Sequence, residues 1–159
     1  MKHIPLKVLF FLMLFRLSAQ EPNWTPDGDG FLNVQSGYIV KTFLPGMDKD
    51  TLIRAAQLTP AGKSEPLKIR KFTYSDDQQK LLIYTNTKRV WRVDTRGDYW
   101  VLDLKNYALK QLGAKLPESS LMFAKFSPDG NHVAYVSDRN LYVEDLGSGK
   151  VRKLTSTDG

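Results

Sequence analysis

The stretch "FSPDGNHVAYVSDRNLYVEDLGSGKVRKLT" runs from Phe126 to Thr155. Ser-Pro-Asp-Gly turns the chain: Pro128 presets φ, Asp129 can accept bonds from nearby backbone N–H groups, and Gly130 tolerates positive φ. Apolar-rich segments follow at Val133–Val136 and Leu141–Val143, and "GSGK" makes a further turn before Val151–Thr155. The stretch reads as strands joined by turns, with no room for a helix. A sheet of strands this short does not stand alone as a domain. It must be one unit of something larger.

Two earlier segments repeat it. "WTPDGDGFLNVQ" (Trp24–Gln35) and "YSDDQQKLLIYT" (Tyr74–Thr85) share with "FSPDGNHVAYVS" (Phe126–Ser137) an aromatic, then Ser or Thr, then any residue, then Asp. The aromatics Trp24, Tyr74 and Phe126 stand 50 and 52 residues apart. Downstream, "YWVLDLKNYALKQL" (Tyr99–Leu112) matches "LYVEDLGSGKVRKL" (Leu141–Leu154), with Asp103-Leu104 over Asp145-Leu146. A period near 50 made of short strands predicts an all-β fold, a partial β-propeller of about three four-stranded blades. A β-sandwich with accidental similarity is the plainer alternative. The run Asp27-Gly28-Asp29-Gly30 occupies the turn position and lacks the rest of a calcium loop, so it reads as a turn. Propellers close with about four to eight blades. The chain reaches "TSTDG" with no strand returning to close a ring, so the expectation is an incomplete N-terminal propeller over residues 20–159.

The first residues, "MKHIPLKVLFFLMLFRLSAQ", have the parts of a secretory signal: basic Lys2 and Lys7, an apolar core from Val8 to Phe15, and small residues at Ser18-Ala19. That core would span only about 12 Å as a helix, far short of a bilayer. A signal peptide over residues 1–19 predicts export to the periplasm or medium, with no membrane span after cleavage; an uncleaved anchor is the alternative. Lys2, Lys7 and Arg16 account for three of the 23 basic residues, leaving 20 against 17 acidic ones in the remainder. Interspersed charge of that balance is no nucleic-acid footprint.

The chain contains no cysteine, which excludes thiol nucleophiles and cysteine-ligated zinc. Beyond His3 in the leader, His132 is the one histidine, placed just after a turn. It reads as a half-exposed strand residue. No catalytic triad can be assembled from this chain, and nothing in it calls for a metal or a cofactor.

One segment breaks the repeat. About ten extra residues lie between Thr85 and Tyr99, in "NTKRVWRVDTRGD", and they carry Lys88, Arg89, Trp91, Arg92 and Arg96. A lengthened hairpin projects from a rigid scaffold, where function concentrates. A solvated tip, salt-bridged to Asp94 and Asp98, is the bland reading of the same residues.

The Trp91-Arg92 pair in a long hairpin, flanked by "LIYT" and "YWVLDLKN", resembles the dipeptidyl peptidase IV family of serine exopeptidases. "FSPDGNHVAYVSDRNLYVEDLGSGKVRKLTSTDG" is similar to the following blade of bacterial members, and "DGFLNVQSGYIVKTF" to the preceding one. The resemblance implies an eight-bladed propeller joined to a C-terminal α/β-hydrolase domain with a Ser-Asp-His triad. It implies release of dipeptides from peptides with Pro or Ala at the second position, and a homodimer is common in the family. By the same resemblance Arg92 is the substrate-binding residue that reaches the peptide's backbone carbonyl, with Arg89 and Arg96 as the other hairpin arginines. The fork of donors on a guanidinium suits that acceptor. The family's Glu-Glu pair and its Gly-x-Ser-x-Gly elbow do not occur in the chain, and Val93-Asp94-Thr95 stands where many members have His-Ser-Tyr. The chain alone is therefore expected to be catalytically inactive. A stand-alone periplasmic propeller acting as a binding scaffold is the alternative reading.

Overall fold

The computed structural model describes residues 22–25, 27–90 and 92–157. The expected signal segment, residues 1–19, and Trp91 lie outside the described residues. The rest folds into three four-stranded antiparallel sheets, each a simple up-and-down meander. The first sheet holds β1 (Asn23–Trp24), β2 (Gly30–Gln35), β3 (Tyr38–Phe43) and β4 (Lys49–Ile53). The second holds β5 (Lys71–Tyr74), β6 (Lys80–Val90), β7 (Val93–Asp103) and β8 (Leu109–Gln111). The third holds β9 (Met122–Phe126), β10 (His132–Ser137), β11 (Asn140–Asp145) and β12 (Val151–Lys153). Three sheets, one per sequence repeat, are consecutive propeller blades. The fourth strand of the third blade is shorter than Val151–Thr155. Past Lys153 the contact continues through Leu154 N–H to the Leu141 carbonyl at 2.8 Å and Leu141 N–H to Thr155 Oγ1 at 2.9 Å.

The turn between the first two strands of each blade is one device made three times. In the third blade, Ser127 Oγ donates to the Asp129 carboxylate and accepts from His132 N–H at 3.0 Å, and Asp129 accepts from Asn131 N–H at 3.0 Å. Ser75 and Asp77 do the same for Lys80 and Gln79 N–H, both at 3.0 Å. Thr25 accepts from Gly30 N–H at 3.1 Å in the first blade. The turn's fourth position lies in the left-handed region each time, at Gly28 (φ 72°), Gln78 (φ 55°) and Gly130 (φ 64°). Glutamine there is strained where glycine is not.

Strand alternation sends successive side chains to opposite neighbours. Leu81 and Ile83 of β6 face the first blade, in a core with Leu32, Ile39, Ile53, Leu58 and Phe72. Leu82, between them, faces the third blade with Tyr99, Val101, Leu121, Val133 and Tyr135. Tyr74 and Phe126, the aromatics that end β5 and β9, each lean on the core shared with the blade before. Trp24 ends β1 in the same register, but among the described residues no sheet precedes it. Its ring meets Phe31 edge-on at 6.0 Å, and the residue stays 59% exposed.

One buried charge bridges the last two blades. Glu144, 3% exposed, accepts from Gly113 N–H at 3.0 Å and from the Tyr135 hydroxyl at 3.3 Å, and its other oxygen pairs with Lys110 Nζ at 3.3 Å. Burial first, and Glu144 second, push the Tyr135 hydroxyl well above its ordinary range, so it stays a donor.

Candidate functional site

The sequence insertion lengthens both strands of one hairpin. β6 and β7 have eleven residues each, against six in β10 and β11. Pairing is regular from Lys80↔Asp103 to Thr85↔Asp98, then shifts register before Lys88↔Arg96 and Val90↔Val93. The five residues past Thr85 carry the tip about 17 Å beyond the blade at strand rise.

The base of this extension is tied down. Asp98, 9% exposed, accepts from Asn86 Nδ2 at 2.7 Å and from Ser119 N–H at 2.6 Å, while Ser119 Oγ donates to the Asn86 carbonyl at 2.7 Å. Gly97 pairs with Leu121 as an isolated bridge. A side chain at position 97 has no space: a Cβ would lie 2.4 Å from the Tyr84 ring and 2.7 Å from the Thr85 carbonyl. Tyr84 stacks on Tyr99 at 4.6 Å and donates its hydroxyl to the Arg96 carbonyl at 2.9 Å. Its pKa is pushed up to about 12, chiefly by burial, then by Tyr99 and Asp94.

Near the tip the extension is latched from outside. Arg70, just before β5, donates Nε to Asp94 at 2.9 Å. Arg89 donates Nη2 (3.0 Å) and Nε (3.3 Å) to the Arg92 carbonyl, closing the turn. Arg92 itself is exposed, and its guanidinium makes no hydrogen bond or ion pair among the described residues. The bland expectation of a solvated, salt-bridged tip is met only in part. Asp94 pairs with an arginine outside the hairpin, and Asp98 is buried on an amide and a backbone N–H. Arg89 proves to be a clamp on the turn.

Below the tip an open cleft of about 1260 Å³ runs between the first two blades. Arg92, Arg89 and Val93 of the hairpin line one side, with Arg70, Lys71 and Tyr84; Asn23, Phe31, Leu32 and Asn33 of the first blade line the other. Sequence reasoning missed Arg70 and Lys71. Their signal was faint: a basic pair opening a strand, meaningful only once the hairpin folds over it. His132 opens β10 half-buried, its Nε2 3.4 Å from Asp145 Oδ2 and its Nδ1 4.0 Å from Asp129 Oδ1. Ser127 Oγ engages the His132 backbone. Among the described residues no three His, Asp or Glu side chains gather as a metal site, and no helix is long and apolar enough to cross a membrane.

Known proteins resemble this chain in sequence and in fold. The chain is 30% identical over 129 residues to dipeptidyl aminopeptidase B of Saccharomyces cerevisiae, covering 81% of the chain and 15% of that protein. It is 28% identical over 125 residues to a probable dipeptidyl-aminopeptidase B of Tuber melanosporum, covering 76% of the chain and 14% of the relative. The chain thus spans about a seventh of the length of the curated relatives it matches. Its fold is similar to the crystal structure of Porphyromonas gingivalis dipeptidyl peptidase 4, with a TM-score of 0.71 at 20% identity over 87% of the chain and 19% of that structure. It is also similar to TolB from Acinetobacter baumannii, at a lower TM-score of 0.50 and 20% identity, over 86% of the chain and 32% of that structure. Residues 75–159, which include the lengthened hairpin and the whole third blade, match the family described as the dipeptidyl peptidase IV (DPP IV) N-terminal region. With its bladed fold, its extended hairpin and that match over more than half its length, the chain belongs to the dipeptidyl peptidase IV N-terminal region family.

Proposed function

We propose that this chain is the propeller-forming start of an exported serine-type dipeptidyl peptidase that removes Xaa-Pro and Xaa-Ala dipeptides from peptide N-termini. In this reading Arg92 offers its guanidinium to the substrate's backbone carbonyl, and the catalytic triad lies in a hydrolase domain outside the chain. The ring then holds eight blades, the leader of residues 1–19 directs export, and the enzyme works as a homodimer. One observation carries the reading. The only arginine at the apex of the lengthened hairpin is exposed and without a partner among the described residues, while its backbone is clamped by Arg89. A guanidinium held out but unpaired needs no internal bond broken before it binds a ligand.

The test uses the full-length protein that carries this chain and a Gly-Pro or Ala-Pro chromogenic amide. A hydrogen bond to a charged donor is worth roughly 1.5–3 kcal/mol, so Arg92→Ala should lower kcat/KM by about ten- to a hundredfold. Arg92→Lys should recover only part, since it keeps the charge and loses the fork. Arg96→Ala, whose side chain is exposed, should change little. An Arg92→Ala enzyme as active as Arg96→Ala would overturn the assignment. Residues 20–159 alone should show no turnover of either amide.

A further inference from the structure

We propose that the cleft between the first two blades binds acidic peptides, taking a side-chain carboxylate of the peptide between Lys71 and Arg89. Four cations line the cleft, Arg70, Lys71, Arg89 and Arg92, against the single carboxylate of Asp94. The described chain is otherwise near charge balance, so this excess is local. An open cleft with an apolar floor focuses such a field. Here Phe31, Leu32, Val34 and Phe72 supply the floor.

Why a peptide, and not a bare anion or a nucleic acid? The cleft is bordered by β1 and β5, which are edge strands of their blades. An edge offers backbone donors and acceptors to an extended chain, and apolar pockets beside it take alternate side chains. A phosphate would use only the cations, and a nucleic acid would need a broader basic surface. The wall already shows what it accepts. Asp94 sits on Arg70 Nε at 2.9 Å, so the cleft holds one carboxylate of its own beside the place proposed for a second. Asp94 is therefore a competitor: its charge lowers the attraction for an incoming acidic group.

The inference rests on the peptidase reading for the kind of ligand that arrives, and the experiment separates the two. Fluorescence anisotropy would follow two labelled, C-terminally amidated peptides, Ala-Pro-Gly-Glu-Glu and Ala-Pro-Gly-Gln-Gln, binding to the full chain. The acidic peptide should bind about tenfold tighter at low salt, and the gap should shrink at about 0.3 M salt as screening shortens. Lys71→Gln should weaken the acidic peptide by up to about fivefold and leave the neutral one unchanged, whereas Arg89→Gln, which also releases the turn that presents Arg92, should weaken both peptides and the acidic one more. Asp94→Asn should tighten the acidic peptide, the one outcome that a purely structural ion pair does not produce. Arg92→Ala should weaken both peptides if it holds a backbone carbonyl, the acidic one somewhat more because a cleft cation is lost, so an Arg92 effect confined to the acidic peptide would count against the peptidase reading and not against the cleft. Equal affinity for the two peptides would overturn the proposal. So would weaker acidic binding after Asp94→Asn, or a short oligonucleotide of equal charge binding as tightly as the acidic peptide.

Discussion

Replacing Glu144 tests how the blades are joined. The carboxylate is 3% exposed and serves three partners at once: Gly113 N–H, the Tyr135 hydroxyl and Lys110 Nζ. Glu144→Ala strands the first two as buried donors, each worth about 1–3 kcal/mol when left unsatisfied. Lys110 counts for less, because its side chain is 38% exposed and water takes over much of its solvation. The sum is about 3 kcal/mol. With a urea m-value near 2 kcal/mol/M, the unfolding midpoint should fall by about 1.5 M. Glu144→Gln keeps an acceptor for both donors and gives up only the charge, so it should cost about 1 kcal/mol. Lys110→Met should also cost about 1 kcal/mol, and the double variant should cost less than the two singles combined, since they share one contact. The exposed Glu118→Ala is the control, expected within about 0.5 kcal/mol of wild type. If Glu144→Ala matched Glu118→Ala, the charge would not be holding the second and third blades together, and the energetic argument would be wrong.

Acid should loosen the blade turns. The Asp129 carboxyl is lowered from 3.8 to about 2, first by Ser127 and then by Asn131 N–H, and Asp27 is lowered to about 2 as well, first by Thr25. Because the folded-state groups are the stronger acids, their contribution is complete above about 4 and is lost as the pH falls toward 2. Urea midpoints measured across that window should drop, and Asp129→Asn should flatten the slope. Gln78→Gly should stabilise by about 1 kcal/mol by relieving a left-handed residue, whereas Gly130→Ala should destabilise by about 1–2 kcal/mol; thermal unfolding of both checks the sign. Gly97→Ala forces a methyl into the Tyr84 ring and the Thr85 carbonyl, so it should cost about 2 kcal/mol or more. Hydrogen exchange should place that loss in the hairpin, and uniform protection loss across all three blades would contradict the local account.

What the sequence made legible follows from range. The turns are readable because Ser127, Asp129 and Gly130 act on backbone within five residues. The blades are readable because alternation sends Leu81 and Leu82 to different neighbours without reference to anything distant. The length of the hairpin is readable because the repeat supplies a ruler. Its wiring is not. Asp94 finds Arg70 across 24 residues within the second blade, and Gly113 N–H finds Glu144 across 31, a pairing that exists only once the second and third blades stand side by side. Asp98 reads as a surface charge in sequence and is buried in the fold, since its partners are an amide and a backbone N–H and not an arginine. Phe123, at φ 56° in the irregular β9 and 64% exposed, carries no mark of that conformation in its neighbours.

The one-way facing of the blades has a kinetic side. Tyr74 and Phe126 each lean on the blade made before them, so every new meander, as it leaves the ribosome, meets a surface that already exists. Each sheet pairs only strands adjacent in sequence, which keeps loop closure within a blade cheap and fast. Assembly can therefore proceed from the N-terminus at the pace of synthesis, with the newest blade's face exposed at the growing end in addition to the Trp24 face of the first blade. The long β6–β7 hairpin departs from this order. Its base waits for Ser119 and Leu121, which emerge some twenty residues after Asp98 and Gly97. Its tip, held by Arg70, can set first.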